Sequence, residues 1–277
     1  MDIPSSVVET IRNAIEEDIG HGDITSSLLV PEDNEARALY IAKGNFILAG
    51  MPFAEEVFRI LDRTISFSIF FHEGAKISKG DVLAEVAGKT RALLAGERVS
   101  LNILQRLSGI ATLTAQYVDA VRGTKARIVD TRKTSPGLRF MEKYAVRTGG
   151  GSNHRYGLFD GILIKDNHIE EVGSIVEAVR LAEAGHHLAR IEVEVENLKE
   201  LQEAIDAGAD IVMLDNMTAP AMAEAVRIAS GRVTLEASGN VGLQNIREIA
   251  ETGVDLISVG ALTHSVTAAD ISMKIVK

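Results

Sequence analysis

The chain contains no cysteine. That excludes a disulfide, a thiolate nucleophile and any Cys-ligated zinc or iron–sulfur centre, and it accords with a reducing compartment. No apolar run approaches the roughly 20 residues needed to cross a bilayer. The opening stretch, "MDIPSSVVETIRNAIEED", lacks a cationic segment followed by an apolar one, so no secretion signal is expected and the protein is expected in the cytoplasm. Bulk positive charge is missing too. The 277 residues carry a formal net charge of -10, whereas a phosphate-tracking protein normally shows a broad basic surface, so neither nucleic acid nor membrane is an expected partner. What is there is an ordinary soluble globular composition, 46% hydrophobic and 25% charged, with length for one large or two modest domains.

Within this acidic chain the cations gather in one place. "DTRKTSPGLRFMEKYAVRTGGGSNHR", residues 130–155, holds Arg132, Lys133, Arg139, Lys143, Arg147, His154 and Arg155. Lys143 and Arg147, four apart and followed by glycine, are expected on a solvated helix face. The other pairs read differently. Arg132 and Lys133 follow the apolar run Ala126 to Val129, and His154 and Arg155 follow three glycines. Both stand where regular structure hands over to a loop, which is where ligands are met. A local cluster of cations in an acidic protein points to a small anion.

From residue 126 onward, strand-like runs alternate with helical patterns. "ARIVDT", "GILIKD", "RIEVEVE", "DIVMLD", "VTLEASG" and "LISVGA" read as strands; the segments between them have apolar spacing near 3.6 and close at Gly185, Gly208, Gly231 and Gly253. This alternation implies a parallel sheet, and its regularity favours a β/α barrel over an open sheet. The first part of the chain is different. "SSVVETIRNAIEEDIG" reads as a helix capped by Ser5 or Ser6; "ARALYIAK", "TISFSIFF", "AKISKG" and "VLAEVAG" read as antiparallel strands. "EGAKISKGDVLAEVAG" resembles the hammerhead hairpin of biotinyl and lipoyl carrier domains, but no lysine stands at an equivalent tip, so shared geometry rather than carrier function is expected. A long helical region, "RALLAGERVSLNILQRLSGIATLTAQYVDAVRG", holds the expected boundary. The first domain is 1–105, with 268–277 returning to it, and the barrel is 106–267.

In β/α barrels the active site lies at the C-terminal ends of the strands. Here those ends are Thr131-Arg132-Lys133, Lys165-Asp166-Asn167-His168, Glu194-Val195-Glu196, Asp215-Asn216, Ser238-Gly239-Asn240 and Gly260-Ala261. Six polar ends in one barrel amount to a lined pocket. In "IEVEVE", alternation puts Ile191, Val193 and Val195 on one face and Glu192, Glu194 and Glu196 on the other. Glutamates in a barrel interior need cations, because an unpaired buried carboxylate is costly. Lys165, the arginines or a bound Mg²⁺ can supply them, and Asp215 completes a metal-side pair with Glu194. The glycine stretches "ASGNVG" and "SVGALTHS" follow the last two strands, where barrels often hold a phosphate on backbone N–H groups.

Taken together, "EDIGHGDIT", "ERVSLNILQRLSGIAT", "DTRKTSPGLR", "GGGSNHRYGLFDGILIKDNHI", "EVEVE", "MLDN", "LEASGNV" and "ISVGALTHS" run nearly end to end and in order. In these the chain resembles the quinolinate phosphoribosyltransferases. The resemblance implies an α/β fold: an N-terminal α/β sandwich followed by an incomplete, seven-stranded α/β barrel, with "AVRTGG" as the strand beyond the six counted above. It implies transfer of phosphoribosyl from 5-phosphoribosyl 1-pyrophosphate to quinolinate with loss of CO₂, giving nicotinate mononucleotide for NAD synthesis. By motif, Arg132, Lys133, His154 and Arg155, beside Thr131, would bind the two carboxylates, with Arg98 reaching in from a partner chain. Lys165, Glu194 and Asp215 would be catalytic, Lys165 near the ribose and pyrophosphate and the two carboxylates on the ribose hydroxyls and Mg²⁺ side, directly or through the pyrophosphate. Ser238, Gly239, Asn240, Val259, Gly260, Ala261 and His264 would surround the 5-phosphate. A homodimer with shared sites, or a hexamer of such dimers, is the implied assembly. A paralogous group associated with molybdenum transport shares "TRKT" and the glycine-His-Arg stretch, but tends to lose the "IKDNHI" pattern that is intact here. A nicotinate phosphoribosyltransferase, or a non-catalytic phosphosugar-binding regulator, are the other readings.

Overall fold

The structure is a computed structural model and describes residues 2–186 and 188–276. Its chain divides into two compact units, one of Met1–Ala115, Thr134–Gly150 and Ser265–Lys277, the other of Gln116–Lys133 and Gly151–His264. In chain order the elements begin with α1 (Ser5–Ile19), α2 (Ile24–Leu29), β1 (Glu35–Ala42), β2 (Phe46–Ile47), α3 (Met51–Leu61), β3 (Ser66–Ile69), β4 (Lys76–Ile77), β5 (Val82–Lys89) and α4 (Thr90–Ala120). Next come β6 (Arg127–Val129), α5 (Arg139–Thr148), β7 (Ile162–Ile164), α6 (Asp166–Val172), α7 (Ile175–Gly185), β8 (Ile191–Val195) and α8 (Leu198–Asp206). The chain ends with β9 (Ile211–Asp215), α9 (Ala219–Ala229), β10 (Thr234–Ser238), α10 (Ile246–Glu251), β11 (Leu256–Ser258), α11 (Ala261–His264) and β12 (Ile271–Val276).

In the first unit an antiparallel sheet runs β12-β1-β5-β3. The C-terminal strand thus pairs with β1, Ala42 facing Ile271 and Arg37 facing Val276. Alternation along β1 buries Ala38, Tyr40 and Ala42 on one face, where they join Phe58, Leu83, Val86, Leu93, Leu101 and Leu104 in one core. Four local expectations give way. Pro4, not Ser5 or Ser6, precedes the first helical turn, and no side chain caps it; proline's fixed φ suits that position and leaves both serines inside the helix. The expected hairpin does not pair with itself, since β4 pairs with β2 and β5 with β1 and β3. The turn at Gly80, with φ 100°, carries the chain out of one sheet and into another. Third, "AVRTGG" is not a strand. It closes α5, whose Met141 and Ala145 repeat at i,i+4, with Glu142 in the first turn and Arg147 in the last, each matching the helix dipole. On that helix Arg147 is exposed but Lys143 is buried, against the expectation of a solvated face for both.

The second unit is a parallel sheet in the order β6-β11-β10-β9-β8-β7. Between β7 and β11 each strand is followed by one or two helices that return the chain to the same starting edge, as parallel pairing requires. The strand face opposite Glu194, Met213, Glu236 and Ser258 is apolar and buried: Val193 on β8, Val212 and Leu214 on β9, Leu235 and Ala237 on β10, Ile257 on β11. The seventh strand is reduced to one parallel bridge, Val129 to Ser152, with Ser152 N–H donating to Ile128 and its carbonyl accepting from Asp130. Three glycines and a Ser-Asn step leave no run of residues able to extend the pairing. Among the described residues no helix is long and apolar enough to cross a membrane.

Candidate active site

Because all strands of the second unit are parallel, their C-terminal ends deliver side chains to one edge. A cavity of about 470 Å³ opens there. Its lining includes Thr131, Arg132 and Lys133 after β6, His154 and Arg155 after the Ser152 bridge, and Lys165 after β7. From the other strands come Glu194, Asp215, Ser238, Gly239 and Asn240. The sequence reading named each of these. It also named Val259, Gly260, Ala261 and His264, which do not line the cavity. Val259 is buried and its N–H donates to Val129, while a Cβ on Gly260 would stand 3.0 Å from Lys133 Cδ and 3.1 Å from His264 Nε2. That bareness lets the chain pass close to Lys133, whose carbonyl accepts from Thr263 Oγ1 at 2.8 Å. Arg98 lies in the first unit on α4, with an exposed side chain.

The charges are arranged in opposing sets. Lys165 Nζ donates to Glu194 Oε2 at 2.5 Å, a pairing made by adjacent strands, since Ile164 is level with Val193. Asp215, one strand further, accepts from Asn216 Nδ2 at 2.6 Å and has no cationic partner among the described residues. In the same cavity, burial and then the charge of Arg132 pull the Arg155 guanidinium below its ordinary pKa. Two guanidiniums that repel each other in one cavity form a site that an anion stabilises, and their planar forks match carboxylates in bidentate fashion.

The rim near β9 and β10 uses backbone conformations that few residues adopt. Asn216 and Asn240 have φ 52° and Gly239 has φ 88°. A Cβ on Gly239 would meet Asn216 Oδ1 at 2.2 Å and Asn216 N at 2.9 Å, so only glycine allows the two strand ends to come together. Asparagine tolerates the left-handed region better than most residues, and Asn240 Nδ2 donates to Asn216 Oδ1 at 3.1 Å. Held, unusual backbone of this kind clusters at functional sites.

Sequence reasoning missed Leu163, Met213, Glu236 and Ser258, which line the cavity together with Asn216 of the Asp215-Asn216 strand end. It read strand ends only. Glu236 stands two residues before Ser238, as Glu192 stands two before Glu194, so alternation places both on the inward face one layer deeper. Of the "IEVEVE" glutamates, Glu192 is buried, Glu194 half-buried and Glu196 exposed; the last lies beyond the end of β8.

The sequence matches the family model of the quinolinate phosphoribosyl transferase C-terminal domain over residues 110–274 and that of the N-terminal domain over residues 23–108. The chain belongs to the quinolinate phosphoribosyltransferase family. It is 47% identical over 260 residues to the probable nicotinate-nucleotide pyrophosphorylase [carboxylating] of Bacillus subtilis, covering 94% of this chain and 90% of that one. To the corresponding probable enzyme of Synechocystis it is 47% identical over 272 residues, covering 96% and 92%. Among solved structures, the nicotinate-nucleotide pyrophosphorylase of Francisella tularensis superposes with a TM-score of 0.95 at 44% identity, covering 99% and 98% of the two chains. Human nicotinic acid phosphoribosyltransferase, 12% identical with a TM-score of 0.66 over 98% of this chain and 74% of that one, shares the fold alone.

Proposed function

We propose that this family member is a carboxylating nicotinate-nucleotide pyrophosphorylase. It transfers phosphoribosyl from 5-phosphoribosyl 1-pyrophosphate to quinolinate and releases pyrophosphate and CO₂, forming nicotinate mononucleotide. The observation that carries this is that one cavity is lined by two mutually repelling guanidiniums, Arg132 and Arg155, and by a Lys165–Glu194 pair with Asp215. A dicarboxylate fits the first set and a phosphorylated sugar the second. Arg132, Lys133 and Arg155 grip the carboxylates and orient the ring nitrogen toward the sugar. Glu194 and Asp215 stabilise the positive charge that develops on the anomeric carbon as pyrophosphate leaves, and Lys165 keeps Glu194 turned into the cavity. Asn240 and the backbone at Gly239 meet the 5-phosphate, and Arg98 is supplied by the partner in a homodimer working in the cytoplasm.

Carboxylate oxygens suit a hard cation, and Asp215, without a cationic partner among the described residues, makes the donor set fit Mg²⁺. Glu194 and Asp215 would hold it, in part through the pyrophosphate, and it would neutralise the leaving group's charge. Once the ring nitrogen is bonded to the sugar it is positive. That charge stabilises the electron pair left on the adjacent carbon when CO₂ departs, so decarboxylation follows transfer.

The test is direct. Purified protein with quinolinate, 5-phosphoribosyl 1-pyrophosphate and Mg²⁺ should give nicotinate mononucleotide and CO₂ in equal amounts. Turnover of nicotinate instead of quinolinate, or binding of the phosphosugar with no product, would sink the reading.

A further inference from the structure

The chemistry just described makes no use of two buried carboxyl groups. Glu192 on β8 and Glu236 on β10 are 4% and 0% exposed, and Glu192 Oε1 and both Glu236 carboxyl oxygens are buried without a hydrogen-bond partner among the described residues. His154 lies against them, its Nε2 3.0 Å from Glu192 Oε2 and 3.6 Å from Glu236 Oε2. The other ring nitrogen is also engaged, because Nδ1 sits 2.8 Å from the Arg155 backbone N–H, which donates to it. A ring nitrogen that accepts carries no proton. The proton therefore resides on Nε2, which donates to Glu192. The backbone is fixed as well: the His154 N–H donates to Asp130 Oδ1 at 2.9 Å, and Asn153 Nδ2 donates to Asp130 Oδ2 at 2.6 Å.

We propose that His154 is a positioning residue, held as the neutral Nε2-protonated tautomer between the Arg155 backbone N–H and the Glu192–Glu236 pair, and that it sets the aim of Arg155 without gripping a substrate carboxylate itself. This rests on the reading of the cavity as a dicarboxylate site, and it replaces the motif-based assignment of His154 as a carboxylate ligand. The ring lines the cavity, but the nitrogens that would have met a carboxylate face protein groups. Burial, then the charge of Glu192, push the Glu236 carboxyl up to about 7. Asp130 also acts on Glu236, and the Arg155 guanidinium, itself under the charges of Arg132 and Asp160, acts on Glu192. Arg155 continues directly from this anchored backbone, and its Nη1 donates to Gly161 O at 3.1 Å. The aim of its guanidinium thus depends on the His154 ring staying where the carboxyl pair puts it.

The experiment is nitrogen NMR of the full-length enzyme labelled with ¹⁵N-histidine, free and saturated with quinolinate. One histidine should show an unprotonated Nδ1 and a protonated Nε2 that persist across the neutral pH range. It should be missing from His154→Gln, or from His154→Asn should the first variant not fold. Doubly protonated His154, or a proton on Nδ1, in either state overturns the proposal. So does a stoichiometric transition metal in the purified enzyme, since the His154, Glu192 and Glu236 donor atoms lie within 4.8 Å of one another and a metal on Nε2 would displace its proton. A binding cycle tests the coupling. Adding His154→Gln to Arg155→Lys should weaken quinolinate no further than Arg155→Lys alone; multiplied losses would show an independent carboxylate contact and overturn it. If wild-type enzyme bound no quinolinate at all, the dicarboxylate reading would fail while the tautomer result stood by itself.

Discussion

Replacing Glu236 by glutamine should change how stability depends on pH, and burial fixes the sign. In the unfolded chain this carboxyl titrates near 4.5, and in the folded protein it is pushed up to about 7. Between those values the native state keeps a proton that the unfolded chain has released. The stabilisation from that proton is complete below about 4.5 and is lost as pH rises through about 7, so wild-type stability falls across the window. At ~1.4 kcal/mol per tenfold change in proton affinity, the fall amounts to at most about 3 kcal/mol. The proton belongs to the pair with Glu192, so the slope is that of the pair. Glutamine cannot ionise, and the remaining Glu192 then faces one neutral amide. Urea denaturation at about pH 5 and about pH 8 reads the difference: the gap in stability between Glu236→Gln and wild type should favour the variant more at the higher pH, by up to about 3 kcal/mol. Parallel pH dependences in the two proteins would show that Glu236 is ionised throughout and that the charge argument is wrong.

Lys165→Ala should lose kcat by far more than it weakens quinolinate, because Lys165 touches Glu194 on the sugar side; near-normal kcat with separately measured quinolinate Kd would remove it from the chemistry. Arg155→Lys should weaken quinolinate by roughly tenfold to a hundredfold, about 1.5–3 kcal/mol, since a point charge replaces a bidentate fork; unchanged calorimetric binding would refute its carboxylate role. Gly239→Ala should cost about 1–3 kcal/mol in thermal or urea stability, from the left-handed backbone and the contact with Asn216; a neutral result would mean that the strand ends can separate. Mixing Arg98→Ala with Lys165→Ala, each nearly inactive alone, should restore about a quarter of wild-type sites if Arg98 acts in the partner's site of a two-fold dimer. No recovery, with mixed dimers shown to be present, would falsify that exchange.

Much of this protein was legible without coordinates because its signals are local. A period of two fixes which side of a strand each residue takes, and a parallel sheet puts the strand ends on one edge, so "TRK", "IKD", "EVE", "LDN" and "ASGN" had to converge. Of the cation cluster in this acidic chain, Arg132, Lys133, His154 and Arg155 meet in the one cavity for the same reason. Tertiary structure decided what depends on neighbours distant in sequence. Whether "AVRTGG" continues a strand or closes α5, whether Lys143 is covered while Arg147 is not, and that β4 leaves β5 for β2 all turn on packing that no short window contains. The same holds one layer below the strand ends. Glu192, Glu236 and His154 come from β8, β10 and the loop after the Ser152 bridge, and each alone reads as an ordinary residue of its segment. Folding alone brings two carboxyls against one imidazole in a dry interior, 3.0 Å and 3.6 Å from its Nε2.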